Sequence, residues 1–197
     1  VLTPIGAIAL KARYFKFEPH ERFAGSAWWL PATGLSDFVT TLSGERQAWP
    51  EGAKIVRFDS GVTNKIQIGV TGDSQSEING ISGEIINVFD NDLKTQLLWN
   101  DWHDSYGTGD KWRRNYFVID AGEQGFKFTG YNVGTPSNLD AFFWKWSVAI
   151  ANDISNWRPN TELSTKTADE DTIWQTIDER TFPEDKTLFK TSAWMAS

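Results

Sequence analysis

Asn87-Val88-Phe89-Asp90-Asn91-Asp92-Leu93-Lys94-Thr95, with the apolar-aromatic segment Leu97-Leu98-Trp99 directly behind it, is the most informative run in the chain. Oxygen-bearing side chains recur at Asn87, Asp90, Asp92 and Thr95, a spacing that one tight loop can fold around a hard cation such as Ca2+. The same Asp-Asn-Asp run also makes an ordinary Asx-rich turn, in which side chains hydrogen-bond to their own backbone. It is not an EF-hand loop, because the Gly after Asp-x-Asp and the Glu at the twelfth position are missing.

Downstream of the acidic loop, Trp112 precedes the strand-like Tyr116-Phe117-Val118-Ile119-Asp120-Ala121-Gly122 and then Phe126-Lys127-Phe128-Thr129-Gly130-Tyr131. Pro136-Ser137-Asn138-Leu139-Asp140 follows, then Trp146-Ser147-Val148-Ala149-Ile150-Ala151-Asn152-Asp153 and Asn156-Trp157. This ordered series, over roughly residues 81 to 182, resembles the discoidin (coagulation factor 5/8 type C) group of the galactose-binding-like superfamily. Arg13-Tyr14 and Leu35-Ser36-Asp37-Phe38 resemble a couple found near the N-terminus of the same group. The resemblance implies a jelly-roll β-sandwich with ligands on loops at one end. It also implies a structural calcium ion at Asn87, Asp90, Asp92 and Thr95, partly through main-chain oxygens. Polar binding residues are implied in the turn holding Asn138 and Asp140, although Leu139 stands where the group has Arg, which argues against galactose itself.

The composition agrees with strands. Eleven Trp and thirteen Phe in 197 residues exceed what helical packing needs, and aromatic residues suit a pleated, half-buried surface. Many short apolar runs are punctuated by Gly, Pro, Asn and Asp, with no long amphipathic period. The only helical candidate is Ala168 to Arg180, opened by Asp169, Glu170 and Asp171. Ala7 to Phe17 reads as a strand ended by Pro19, and Leu35 to Leu42 as a second. Ala53 to Phe58 and Lys65 to Val70 read as a hairpin, with Ile66, Ile68 and Val70 on one face. The hairpin belongs to an insertion at about residues 47–80, expected as an exposed flap or a contact between subunits.

A net charge of −7 argues against nucleic acid, since phosphate binding needs clustered basic side chains. Lys111-Trp112-Arg113-Arg114 is too short a basic run for that role. There is no cysteine, so disulfide and thiolate chemistry are excluded. No apolar run reaches membrane-spanning length. The chain opens on Val1, so the lack of a signal peptide carries no information. Only His20 and His103 occur, without metal-ligand spacing, and there is no nucleophile elbow or phosphate loop. A carboxylate pair for glycoside hydrolysis has no distinguishing signal among 26 acids.

Recognition has better support than catalysis. Trp99-Asn100-Asp101-Trp102-His103-Asp104-Ser105-Tyr106 continues through Gly107, Gly109 and Asp110 to Trp112-Arg113-Arg114, placing large rings in a polar, Gly-rich loop. Sugars present C–H faces to aromatic rings and hydroxyls to polar partners, so Trp102, His103, Tyr106 and Arg113 form a candidate glycan site, with Asn138 and Asp140 as a second wall. Trp99 and Trp112 read instead as core plugs at strand ends. For Trp102, His103 and Tyr106 an ordinary loop cluster or a subunit contact stays open.

The expectation is one all-β domain over residues 1–197, an antiparallel jelly-roll sandwich with no enzymatic activity and no membrane insertion. Its role would be glycan recognition or adhesion on an extracellular protein or virus particle. The alternative is a decoration or fibre subunit of a phage or virus particle, contacting other virion or cell-surface subunits through the insertion and Trp194 in an open C-terminal tail.

Overall fold

Residues 14–20 alternate in character, and the alternation decides where this strand sits. Phe15 and Phe17 point one way while Lys16, Glu18 and His20 point the other. In the computed structural model, which describes residues 8–22, 32–58, 66–67, 88–100, 116–157 and 172–196, Leu10–Ala12 is β1 and Tyr14–Arg22 is β2. Strands β3 (Ala32–Leu35), β4 (Asp37–Leu42), β5 (Glu45–Arg46), β6 (Lys54–Phe58) and β7 (Ile66–Gln67) follow. Then come β8 (Leu97–Asn100), β9 (Phe117–Asp120), β10 (Phe126–Phe128), β11 (Gly130–Gly134) and β12 (Phe143–Ala151). Gln175–Thr181 is β13 and Trp194–Ala196 is β14.

The protein is all-β, and every strand pairing among the described residues is antiparallel. One sheet has the order β13-β12-β2-β9-β6-β7 and another β14-β11-β4-β5; β1 pairs with β10 and β3 with β8. The two larger sheets share one core. Phe17 of β2 lies 5.2 Å from Phe38 of β4, and Phe38 lies 5.5 Å from Phe117 of β9, measured between ring centroids. Each fully buried aromatic of this kind contributes about 1.5–3 kcal/mol of burial.

The opposite face of the six-stranded sheet carries a second, smaller cluster. Tyr116, Val118, Ala149, Ala151, Trp157 and Trp174 are buried there. Lys16 lies among them, its Nζ 5.8 Å from the Trp157 ring, 5.2 Å from the Trp174 ring and 3.4 Å from Glu18 Oε2. Aromatic faces and a carboxylate thus compensate an ammonium that the sheet takes out of water.

Several sequence expectations change. Pro19 does not end its strand: β2 runs on to Arg22, and the register against β12 shifts beside Pro19, where a bulge accommodates the missing N–H. Within the hairpin read at residues 53–70, β6 and β7 pair antiparallel, Lys54 with Gln67 and Ile55 with Ile66, while residues 59–65 and 68–70, with Ile68 and Val70, lie outside the described residues. Its first strand is not an exposed flap, because β6 also pairs with β9 and Ile55 is fully buried. Only Thr172 and Ile173 are helical in the described part of 168–180, and Gln175 to Thr181 is strand β13. The C-terminus is not open either: β14 pairs with β11, and the half-buried Trp194 lies under Arg46, 4.3 Å from its guanidinium. Among the described residues no helix is long and apolar enough to cross a membrane.

The Asp-Ala-Gly turn after β9 has a clear local cause. Arg13 clamps Asp120 with two hydrogen bonds, Nε to Oδ1 at 3.0 Å and Nη2 to Oδ2 at 2.9 Å. Gly122, at φ +93°, donates its N–H to the same Oδ1. Burial raises the Asp120 pKa, but the bonds from Arg13 and Gly122 outweigh it and hold the carboxyl below its usual range.

Candidate functional site

The acidic loop starts in the core and ends on a sheet surface. Val88 is fully buried, and Phe89 packs edge-on to Trp49 and Phe117. From there the chain turns through Asn91, at φ +60°, a left-handed conformation that Asn tolerates. The turn is made as an Asx-rich turn. Asp90 Oδ1 accepts from Asp92 N at 2.9 Å and Asp92 Oδ1 from Lys94 N at 2.9 Å. Thr95 Oγ1 lies 2.6 Å from Asp90 Oδ2 and 2.8 Å from Asp92 O. Asp90, Asp92 and Thr95 are therefore brought together, while Asn87 lies outside the described residues.

The loop is seated at the end of the four-stranded sheet's two central strands, where β4 begins and β11 ends. Gly134 pairs with Asp37, and a Cβ built on Gly134 would stand 2.7 Å from Leu93 Cδ2 and 2.8 Å from Asp37 N. Only a glycine lets Leu93 settle there. The loop lies against Asp37, a residue not among the ligand positions read from the sequence. Asp37 is fully buried, and neither of its carboxylate oxygens has a hydrogen-bond partner. The Phe38 and Asn91 N–H groups ease its charge from nearby without bonds of normal geometry. Burial first, and then the neighbouring Asp90, push the Asp37 carboxyl up to about 8.

An orphaned buried carboxyl beside a second carboxyl is an unfavourable arrangement by itself. A divalent cation between Asp37 and Asp90, with loop carbonyls completing an oxygen shell, would reverse both penalties. The residues present fit such an ion by donor type. Among the described residues no three His, Cys, Asp or Glu side chains converge, so carbonyl and hydroxyl oxygens would have to supply the rest. Asp37 was legible in the sequence only as the third residue of Leu35-Ser36-Asp37-Phe38, since nothing local distinguishes a buried acid from an exposed one at a strand start.

The second wall is joined to this loop. Gln96 Oε1 accepts from both Ser137 N and Ser137 Oγ, each at 3.0 Å. The 3₁₀ turn Leu139–Ala141, which packs against β3, begins immediately after Asn138. Asn138 Oδ1 caps this turn by accepting from Asp140 N at 3.0 Å, and Asp140 pairs with Lys186. These two side chains are thus already engaged, Asn138 in shaping the loop and Asp140 in an exposed ion pair. Trp102, His103, Tyr106 and Arg113 lie outside the described residues, as does Trp112. Strand β8 ends at Asn100, one residue before the segment that contains Trp102, His103, Tyr106 and Arg113.

His20, the described histidine, is hydrogen-bonded to Ser147 Oγ at 2.9 Å. This pair sits between β2 and β12, and β12 is itself paired on both sides. Compared with known proteins, the chain matches no family model, no curated protein and no solved structure.

Proposed function

We propose that the chain is a non-catalytic recognition module, a jelly-roll β-sandwich of the galactose-binding-like type, which holds a glycan on loops at one end. A structural calcium ion held by Asp37, Asp90 and oxygens of the Asp92–Thr95 segment braces that end. The setting that suits such a module is an extracellular protein or a virus particle. The observation that carries the reading is the pair of hydrogen bonds that Ser137 donates to Gln96 Oε1. It ties the acidic loop to the turn of Asn138 and Asp140, at the start of the strand that leads toward Trp102, His103 and Tyr106. An ion that braces the acidic loop would then brace the turn of Asn138 and Asp140 through Gln96, without any role for the ion in chemistry.

A glycan-array screen of the whole chain, run in calcium and again in chelator, tests this reading. Calcium-sensitive binding to a defined sugar set, lost in Trp102→Ala and Tyr106→Ala, is the expected result. Silence across a broad array, from protein shown to be folded, would overturn it.

A further inference from the structure

Near Asp37 lies the exposed cation of Arg46. Trp194, Gly134 and Asp37 lie in one row across the four-stranded sheet, since Gly134 pairs with Trp194 on one side and with Asp37 on the other. Residues paired in this way present their side chains to the same face. Arg46 enters that face from β5, where it pairs with Thr41. Its guanidinium lies 4.3 Å from the Trp194 ring centroid, and its charge is felt at Asp37.

Between these groups stands Leu93. Its Cδ2 occupies the space above Gly134 that a side chain would otherwise fill. With the acidic loop seated, Leu93 is an apolar wedge between the Asp37 carboxyl on one side and the Arg46–Trp194 stack on the other. An exposed arginine has the reach and the freedom to choose between an aromatic face and a carboxylate. A buried carboxylate is the stronger attractor once the path is open, because charge-assisted hydrogen bonds exceed a surface cation–π contact.

We propose that Arg46 exchanges partners with the state of the acidic loop. With an ion on Asp37 and Asp90 the loop and Leu93 stay seated, and Arg46 caps Trp194 and holds β14 against β11. Without the ion the loop lifts, Arg46 turns to Asp37, and the C-terminal strand loses its cap. The inference rests on the calcium reading given above and adds a consequence for a strand that touches no ligand. The C-terminal segment is otherwise pinned by Thr135, whose N–H donates to Ala193 O at 2.9 Å and whose hydroxyl accepts from Ala193 N at 2.9 Å. Loss of the cap therefore loosens β14 without detaching it.

Two measurements on the full chain test this together. Calorimetric titration with calcium alone reads the ion site, and hydrogen exchange of the 194–196 amides reads the strand. The expected result is calcium binding, with exchange in β14 about two- to fivefold faster in chelator than in calcium, the range a surface cation–π contact supports. Arg46→Gln should bind calcium like the wild type yet exchange at the faster rate in both conditions. Asp37→Asn should lose calcium binding and keep β14 slow in chelator, because the carboxylate that draws Arg46 away is gone. Calcium binding with unchanged β14 exchange would overturn the partner exchange alone. Absence of binding heat would overturn the ion site and the exchange with it.

Discussion

Replacing Asp37 by Asn separates two consequences of one buried group. In an Arg46→Gln background, where no guanidinium can turn to it in chelator, Asp37 is a fully buried carboxyl with no hydrogen-bond partner beside the carboxyl of Asp90. A buried polar group in that condition costs about 1–3 kcal/mol. Removing the ionisable group should recover a similar amount, and a domain of this size shifts its melting temperature by about 2–4 °C per kcal/mol. In that background Asp37→Asn should therefore melt about 2–12 °C higher in chelator than the protein that keeps Asp37. In calcium at a hundred times the dissociation constant, an ion bound only by the folded state adds about 2.7 kcal/mol. The protein that keeps Asp37 should then rise by about 5–11 °C, and the Asn variant, short of one carboxylate ligand, should barely respond. Calorimetric melting of both proteins in both conditions is the assay. An Asn variant that melts lower than its parent in chelator and keeps the full calcium response would refute the reasoning, because Asp37 would then be a stabilising group unconnected with the ion.

Three further outcomes follow from particular contacts. Arg13→Met should lower stability at neutral pH by about 1–2 kcal/mol, since it breaks a two-bond, part-buried pair with Asp120. The Asp120 carboxyl is held below its ordinary value, so its contribution is present above the unfolded pKa of about 3.9 and disappears as pH falls through the lower folded value. Urea melts of the wild type should show that acid loss, and those of Arg13→Met should show less of it. Gly134→Ala places a methyl group 2.7 Å from Leu93 Cδ2 and 2.8 Å from Asp37 N; the expected cost is about 1–3 kcal/mol, with weaker calcium binding by titration because the loop no longer seats. Tyr131→Phe removes a hydroxyl that accepts from Trp146 Nε1 at 3.0 Å and donates to Asp178 at 2.5 Å. It leaves the buried indole N–H unpaired, so denaturant melts should show a loss of about 1–3 kcal/mol.

Residue pattern alone reached the secondary structure best where two signals agreed. Phe117–Asp120 and Phe126–Phe128 combine strand-forming residues with a Gly-bearing turn between them, and both are strands. Pattern failed at Pro19 and at Gln175–Thr181. A proline in a strand is excluded by local hydrogen bonding alone, and only the bulge against β12 makes room for it. Thr176, Ile177 and Thr181 are poor helix formers, but the acids before them signalled a helix start, and pairing with β12 decided for a strand.

The site divides along the same line. Short-range order is written in the chain: Asp90, Asp92 and Thr95 meet because a turn of that length must bring them together, and Asn91 permits the bend. What the loop rests on is a long-range fact. Asp37 lies more than fifty positions earlier in the chain, and it faces the loop only because β4 pairs with β11 and Gly134 leaves a gap for Leu93. Burial is a property of the whole packing, so no local reading separates Asp37 from the exposed acids around it. By itself the sequence determined the strand-rich class, the acidic turn and the absence of thiol chemistry, since each depends on residue type or short spacing. Tertiary structure decided that β6 lies inside a sheet, that Trp194 is held under Arg46, and that one carboxyl without a partner lies beneath the loop, since those depend on which distant strands meet.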